Sequence, residues 1–421
     1  MKIRFAFALV TTVVGATVLA GCAGGTPDND GGISGTLTGV FDANYEDAME
    51  EIVAGFEAEY PDVDVNFDYQ GGDFQQIVPT LLQAGTAPDL LLTYPAGKAN
   101  ASNASANVVT LASQGRILEL TEDWTANVPD AWNEGTVGFE GGVYAFPGAV
   151  QPLAAIYNQD TLDGVGLAIP ETLDEVLQFC ADAQAAGLYA YAQGLGETSA
   201  GPQMVSFAQV ASLVYGPNPD FDTELFAGDA SYPESGWVDQ FEIYQDMFDA
   251  GCFGEGALGR TRQQGAEAVA SGAALGQIDV GGQRAVALGV SPDANIVIAP
   301  IPATNDGETY VTALPGYTLA VNAETDNAAA ARAFMEYLAG DEAGVIYANA
   351  FSAVPIIPNE AFVAPDALLA FAEVVAEGRY AKLAEVNGPV QTTLNEAVQS
   401  MLLGNDTPES VAQKMQDALD G

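Results

Sequence analysis

Strand and helix patterns alternate through the first hundred or so residues of this chain, and that alternation narrows the fold more than any single motif does. Residues 33–41 form an apolar segment. Tyr45, Met49, Ile52, Val53 and Phe56 then recur at three- and four-residue steps, the spacing of one helical face. Pro61 ends that helix. Val63, Val65 and Phe67 alternate with Asp64 and Asn66, which predicts a half-buried strand. A helix over 74–85 leads into Asp89-Leu90-Leu91-Leu92-Thr93-Tyr94, an apolar run suited to a buried parallel strand. A sheet covered by helices on both faces, an α/β lobe, accommodates this order.

The pattern resumes after Tyr144-Ala145-Phe146-Pro147. Residues 153–157, 272–280, 296–300 and 317–321 read as strands. Pro170-Glu171-Thr172-Leu173-Asp174-Glu175 opens a helix that Gly187 closes. Residues 327–338 form an alanine-rich helix. Two helices fill 390–419, with Thr407 as N-cap and Pro408 at the first helical position of the second. There is no short-period repeat.

Lys2 and Arg4 precede an apolar run over 5–19, which closes in Leu19-Ala20-Gly21-Cys22. A membrane span needs about 20 apolar residues, so residues 1–21 read as a secretory signal. A cysteine directly after the small residues resembles a bacterial lipobox, in which Cys22 is acylated on sulfur and becomes the mature N-terminus. An ordinary signal peptide with a chance cysteine is the alternative. Residues 22–32 are small and polar, without apolar periodicity, and read as a tether. Asp28, Asn29 and Asp30 lack the alternating spacing and distal glutamate of a calcium loop. Roughly 400 residues remain, enough for two domains or one two-lobed unit.

The chain carries 57 Asp and Glu against 11 Lys and Arg, a formal charge of −46. Such a surface repels phosphate backbones and anionic head groups. No nucleic-acid partner is therefore expected, the membrane is reached only through the lipid on Cys22, and a soluble monomer is expected. Histidine is absent, which removes Ser-His-Asp and Cys-His catalysis, His-ligated zinc and any imidazole base. No cofactor or metal is expected. Beyond Cys22 only Cys180 and Cys252 remain. In an exported protein two cysteines point to a disulfide before a metal site, two buried free thiols being the alternative. A bridge would close about 70 residues and stabilise by roughly 4 kcal/mol in the chain-entropy model.

Four stretches, taken in order, resemble the extracellular solute-binding proteins of ATP-binding-cassette importers, in the sugar-binding family that includes maltose-binding proteins. The first is the helix-Tyr60-Pro61-strand unit over 49–69, followed by 81–92 with Ala84-Gly85-Thr86-Ala87-Pro88-Asp89. The second runs from Gly142-Val143-Tyr144-Ala145-Phe146-Pro147 through Ile156-Tyr157-Asn158-Gln159-Asp160 to the helix start at Pro170. The third is 316–321 with the following Ala333-Phe334-Met335, and the fourth runs from Met401-Leu402-Leu403-Gly404 to Met415. The resemblance implies a two-lobed α/β fold of the periplasmic-binding-protein type, with two or three crossovers as a hinge and the ligand in the interlobe cleft. It assigns 33–148 and 312–345 to the N-terminal lobe, and 149–311 and 346–421 to the C-terminal lobe. It further implies a non-enzyme that closes around its solute and docks on an importer permease.

Open α/β sheets bind ligands beyond their strand ends. Asp42, Asn44 and Tyr45 follow the first strand, Gln70, Gly71 and Asp73 the second, and Tyr94 the third. Asn44 reads equally well as a helix cap. By resemblance Gln151, Tyr157, Gly194, Glu197, Trp237, the turn Asp279-Val280-Gly281-Gly282-Gln283 and Tyr317 join the cleft, with Tyr157 and Trp237 open to a core reading. Where the family carries a tryptophan after the 272–280 strand, Gly282 and Gln283 stand instead. Fewer stacking rings favour a small or polar solute: a monosaccharide, disaccharide, polyol or glycerol phosphate derivative. Lys98, Arg284 and Arg379 are the cations available for an anionic ligand, or for surface ion pairs. The rival reading is a secreted carbohydrate-active enzyme, which needs two carboxylates about 5–10 Å apart, one of them in an apolar pocket.

Overall fold

The computed structural model describes residues 33–71, 74–95, 105–133, 136–197, 200–386 and 388–421. The signal, the tether with Cys22, Asp73 and Lys98 lie outside the described residues. In chain order the strands are β1 (Gly35–Asp42), β2 (Val63–Gln70), β3 (Leu90–Thr93), β4 (Gly138–Phe139), β5 (Gly142–Val143), β6 (Ala145–Phe146) and β7 (Ala149–Asn158). They continue as β8 (Tyr189–Tyr191), β9 (Ala274–Val280), β10 (Ile296–Ala299), β11 (Val311–Pro315), β12 (Thr318–Val321), β13 (Val354–Pro355) and β14 (Tyr380–Lys382).

The first lobe is built on the sheet β2-β1-β3-β12-β6. β1 runs parallel to both β2 and β3, with Val40 opposite Asp68 and Leu91. β12 is antiparallel to β3 and β6. The expected helix forms over Glu46–Glu59 and buries Met49, Ile52 and Phe56, the residues whose spacing announced it. The Leu90–Thr93 run is buried throughout, as a central strand covered on both faces must be.

The second lobe is built on β14-β11-β7-β9-β8, with β10 and β13 also pairing β7. β7 is antiparallel to β9, β10, β11 and β13. Its sequence, AVQPLAAIYN, is buried at every position but Gln151. Cys180, on the helix Leu173–Ala185, is bonded to Cys252, which follows the helix Gly236–Asp249. The bridge spans 72 residues of sequence and both cysteines are buried in the second lobe's core. Among the described residues no helix is long and apolar enough to cross a membrane.

Three segments cross between the sheets: Pro147-Gly148, Gly316-Tyr317, and the stretch from Phe351 into β13. Two lobe boundaries differ from the expected ones. Residues 312–315 belong to the second sheet, because β11 pairs with β7 as far as Pro315 opposite Val150. Residues 346–351 belong with the first core, where Tyr347, Ala348 and Phe351 are packed, before the chain crosses to β13 on the second sheet. Tyr347 stacks on Phe351 at 4.7 Å and meets Phe146 edge-on at 5.4 Å.

Hydrogen bonds lace the crossovers together. Gly316 N donates to Ala149 O at 2.9 Å and Ile356 N to Gly148 O at 3.3 Å. Gly148 has φ +70, and a Cβ there would lie 2.6 Å from the Tyr317 carbonyl oxygen. Gly187 has a similar φ of +77 but open space around it. Gly187→Ala is therefore expected to cost about 1 kcal/mol from backbone strain alone. Gly148→Ala adds a clash with a fixed carbonyl and is expected to cost about 2–3 kcal/mol. Urea unfolding of the two variants checks this, and equal losses would remove the hinge contact from the account.

Candidate ligand cleft

A cavity of about 1420 Å³ lies between the lobes. The first lobe and the middle crossover supply Asn44, Tyr45, Tyr94, Trp132, Thr136 and Tyr317 to its lining, and β7 supplies Gln151. β1 ends at Asp42, whose carboxylate accepts from Asn44 N and from Asn44 Nδ2, both at 2.9 Å. Asn44 thus belongs to a turn and lines the cavity as well. The other Asp42 oxygen accepts the Tyr317 hydroxyl at 3.0 Å. Tyr45 stacks on Phe351 at 3.9 Å, and burial, then the Asp42 charge, push its phenol up to about 12. Tyr317 meets Tyr94 edge-on at 5.5 Å and is held well above the ordinary phenol range, chiefly by burial. The Tyr45 and Tyr317 phenols therefore stay neutral at physiological pH.

Gln151 rises from β7 beside the middle crossover. Its Nε2 would lie 3.1 Å from a Cβ at Gly316, and its Oε1 3.8 Å from one at Gly282. The second lobe contributes the turn after β9, where Gln283 opens the helix Gln283–Val290. Gln283 Oε1 is buried and has no hydrogen-bond partner. Trp124 Nε1, Ser206 Oγ, Trp237 Nε1 and Gln240 Oε1 share that condition among the described residues, but Gln283 alone of the five lines the cavity. An orphaned buried acceptor costs about 1–3 kcal/mol unless a donor arrives.

Expectation and structure part company elsewhere. Gln70 ends β2 away from the cavity lining, its amide donating to Asp68 at 2.5 Å. Tyr157 is 0% exposed, because β7 is the central strand; its hydroxyl meets that of Tyr191 at 3.0 Å in the second core. Trp237, also 0% exposed, packs among Phe207, Tyr232 and Phe241. Asp279 is 0% exposed and is held by the Arg262 guanidinium, with Arg262 Nε 2.8 Å from its Oδ2. Glu197 accepts from Arg262 N at 3.1 Å and does not line the cavity. Gly194 packs against the Arg262 backbone. Arg284 donates to the Ile296 carbonyl, and Arg379 to Thr309 O and Glu377. Neither cation reaches the cleft.

Sequence reasoning did not find Trp132, Tyr215, Asp222, Tyr380, Lys382 or Glu385, all of which line the cavity. Trp132 sits on the short helix Asp130–Asn133 of the first lobe. Its ring stacks on Tyr380 of β14 at 5.7 Å and 11°, with Lys382 Nζ 5.6 Å from its centre. The ring therefore joins the two lobes, and at 4% exposed it is sealed by both. Asp222, on the helix Phe221–Ala227, accepts the Tyr215 hydroxyl and the Glu385 amide, each at 2.8 Å. Burial first, and then the neighbouring Glu385 charge, raise its carboxyl to about 6 despite those two bonds. Among the described residues no group of three or more His, Cys, Asp or Glu side chains is arranged to hold a metal ion.

Residues 42–345 match the family model described as bacterial extracellular solute-binding protein. The chain belongs to that family. A 132-residue stretch is 28% identical to the melibiose/raffinose/stachyose-binding protein MelE of Bacillus subtilis (strain 168). That stretch covers 31% of this chain and only 28% of MelE. A family 1 extracellular solute-binding protein from Bifidobacterium longum subsp. infantis superposes with TM-score 0.70 at 19% identity, over 93% of this chain and all of its own. The apo-form of RafE from Streptococcus pneumoniae gives 0.72 at 17% identity, over 92% of this chain and 98% of its own. RafE in complex with raffinose also gives 0.72 at 17% identity, over 91% and 98%. Such identities establish the shared two-lobed fold and nothing finer.

Within this solute-binding protein, Trp124 and Trp237 are enclosed in single-lobe cores, so Trp132 is the tryptophan that reports on the interface. Any solute that shifts one lobe on the other is expected to change tryptophan emission, and Trp132→Phe is expected to remove most of that change. A solute-dependent change of undiminished size in Trp132→Phe would locate the motion away from this contact.

Proposed function

We propose that this protein is an extracellular receptor that holds a carbohydrate-like solute, a sugar or polyol, between its lobes and passes it to the permease of an ATP-binding-cassette importer. In this reading the mature chain is a monomer anchored through the lipid on Cys22. The observation that carries the reading is the cavity between the lobes, lined in part by Gln283, whose Oε1 has no donor of its own and would be satisfied by a solute hydroxyl. Asn44, Tyr45, Tyr94, Gln151 and Tyr317 surround the same space with amides and rings, the two kinds of group that hydroxyls and sugar C–H faces require. MelE's name lists melibiose, raffinose and stachyose, and RafE is known with raffinose. A cavity of about 1420 Å³ has room for solutes of that size as well as smaller ones.

The enzyme reading lacks a carboxylate on the wall facing Asp222 and Glu385 among the described lining residues. Asp222 and Glu385 are neighbours on one wall, joined by the Glu385 amide. The first-lobe residues of the described lining carry none. Paired-carboxylate hydrolysis needs one group on each side of the bond to be cut.

Titration calorimetry and thermal unfolding with melibiose, raffinose, stachyose, monosaccharides and polyols test the proposal. A solute at 100 times its dissociation constant stabilises by about 2.7 kcal/mol. Gln283→Ala is expected to weaken the best binder by about tenfold or more, the effect of one lost hydrogen bond in a dry site. Recovery of the solute intact agrees with a receptor. Recovery of cleaved solute would establish the enzyme instead, and silence across the panel would remove the carbohydrate reading.

A further inference from the structure

The corner formed by Tyr215, Asp222 and Glu385 has features that packing alone does not explain. Tyr215 ends a short π-helical turn, Ala211–Tyr215, that follows the helix Gln203–Val210. Such turns are rare and gather at functional sites. This one presents the Tyr215 hydroxyl to Asp222 Oδ1, while the Glu385 amide holds Oδ2. A carboxylate offers about four acceptor positions, so each oxygen keeps a lone pair after these two bonds. None of the ion pairs among the described residues involves Asp222. A carboxylate that lines a cleft, fixed at both oxygens and without a cation, is a poor stabiliser but a well-oriented acceptor.

We propose that Asp222 is a specificity-determining acceptor of the cleft, its carboxylate taking a hydrogen bond from a solute hydroxyl and, with Glu385 beside it, turning anionic solutes away. The inference rests on the carbohydrate reading and sharpens it: the solute is neutral and donor-rich, not a sugar phosphate or uronate. Lys382 is the one cation of the described lining, and it lies over the Trp132 ring.

The signature is a dependence on pH that only Asp222 should give. Facing it are the Tyr215 and Tyr232 phenols, both pushed far above neutrality by burial. Glu385 faces it from the segment after β14, near Lys382, and Glu224 shares its helix while accepting from Asn218. A carboxyl that titrates at about 6 is mostly ionised at about pH 7.5 and mostly protonated at about pH 5. Solute affinity should therefore fall as pH falls through that value.

The experiment is calorimetry of the full chain with the tightest binder among melibiose, raffinose and stachyose, at about pH 5 and about pH 7.5, on wild type, D222N and E385Q. Wild type is expected to bind roughly five- to tenfold more tightly at the higher pH. D222N is expected to be weak and flat across the range, while E385Q, which keeps the backbone amide, retains the slope. Because burial disfavours ionised Asp222, D222N should not lower the unfolding midpoint at about pH 7.5; unchanged folding makes lost binding a recognition effect. Parallel profiles in wild type and D222N, or a slope lost in E385Q instead, would overturn the inference while leaving the carbohydrate reading intact. Binding of glucose 6-phosphate or glucuronate in place of the neutral sugars would overturn the charge selection. Absence of binding by wild type at either pH would overturn the carbohydrate reading and this inference together.

Discussion

At the middle crossover the Tyr317 carbonyl accepts the Tyr347 hydroxyl at 2.7 Å, while the Tyr317 hydroxyl donates to Asp42 at 3.0 Å. The residue is thereby fixed at its backbone and at the tip of its ring, and the cleft is built around it. Phe41, Tyr45, Phe74, Tyr94 and Phe351 all make ring contacts with Tyr317. Each such pair is worth about 0.5–1.5 kcal/mol beyond its buried area, so the hinge side of the cleft is a rigid aromatic block. The absence of a side chain at Gly148 completes it, since nothing larger fits against the same carbonyl. Lobe closure in this fold family is a hinge motion, and a rigid block between short crossovers would confine any such change in backbone angles to a few residues.

The interlobe surfaces then divide by chemistry. Neutral amides and phenols form the first-lobe wall, and the Asp42 carboxylate engages two of them, Asn44 and Tyr317. The second-lobe wall mixes apolar Val280, Val286 and Leu314 with the unpartnered Gln283 oxygen and the Asp222 corner. Polar groups that are preorganised but incompletely satisfied give selectivity, because a solute lacking the matching donor leaves them buried and unpaired. Trp132 seals one side by stacking on Tyr380 and not on open solvent.

The legible part of this architecture was the part governed by local rules. Helical spacing from Tyr45 to Phe56 and the Leu90–Thr93 run fixed the first sheet, and residues just past β1 and β3 do line the cleft, since chain direction alone dictates where a parallel strand ends. Tyr157, Trp237 and Asp279 could not be resolved that way. A tyrosine on a buried strand looks the same whether its hydroxyl meets a solute or Tyr191, and Asp279 gives no sign in sequence of Arg262 beside it. Trp132, Tyr215 and the 380–385 segment depend on tertiary placement: a four-residue helix, a π turn, and a three-residue edge strand that carries little periodicity. The lobe boundaries slipped for the same reason, because Tyr347 and Phe351 belong to the first core only through rings far away in sequence.

Charge connects the surface to the site. With 57 acidic and 11 basic side chains, the molecule carries a negative potential that opposes anion approach, yet salt screens it within about 8 Å under physiological conditions. Exposed carboxylates therefore act mainly on solubility and encounter. Selection at contact distance requires carboxylates inside the cleft, where fewer ions and waters intervene. The cations follow the same division: Arg116, Arg332, Arg379 and Lys414 pair with acids at or near the surface, and Arg262 neutralises the buried Asp279. Arg284 is held by the Ile296 carbonyl. The arginines of the described chain are thus committed to structure, and the cleft is left with Lys382 against Asp222 and Glu385. A site so composed discriminates by hydrogen-bond donors and not by counter-charge.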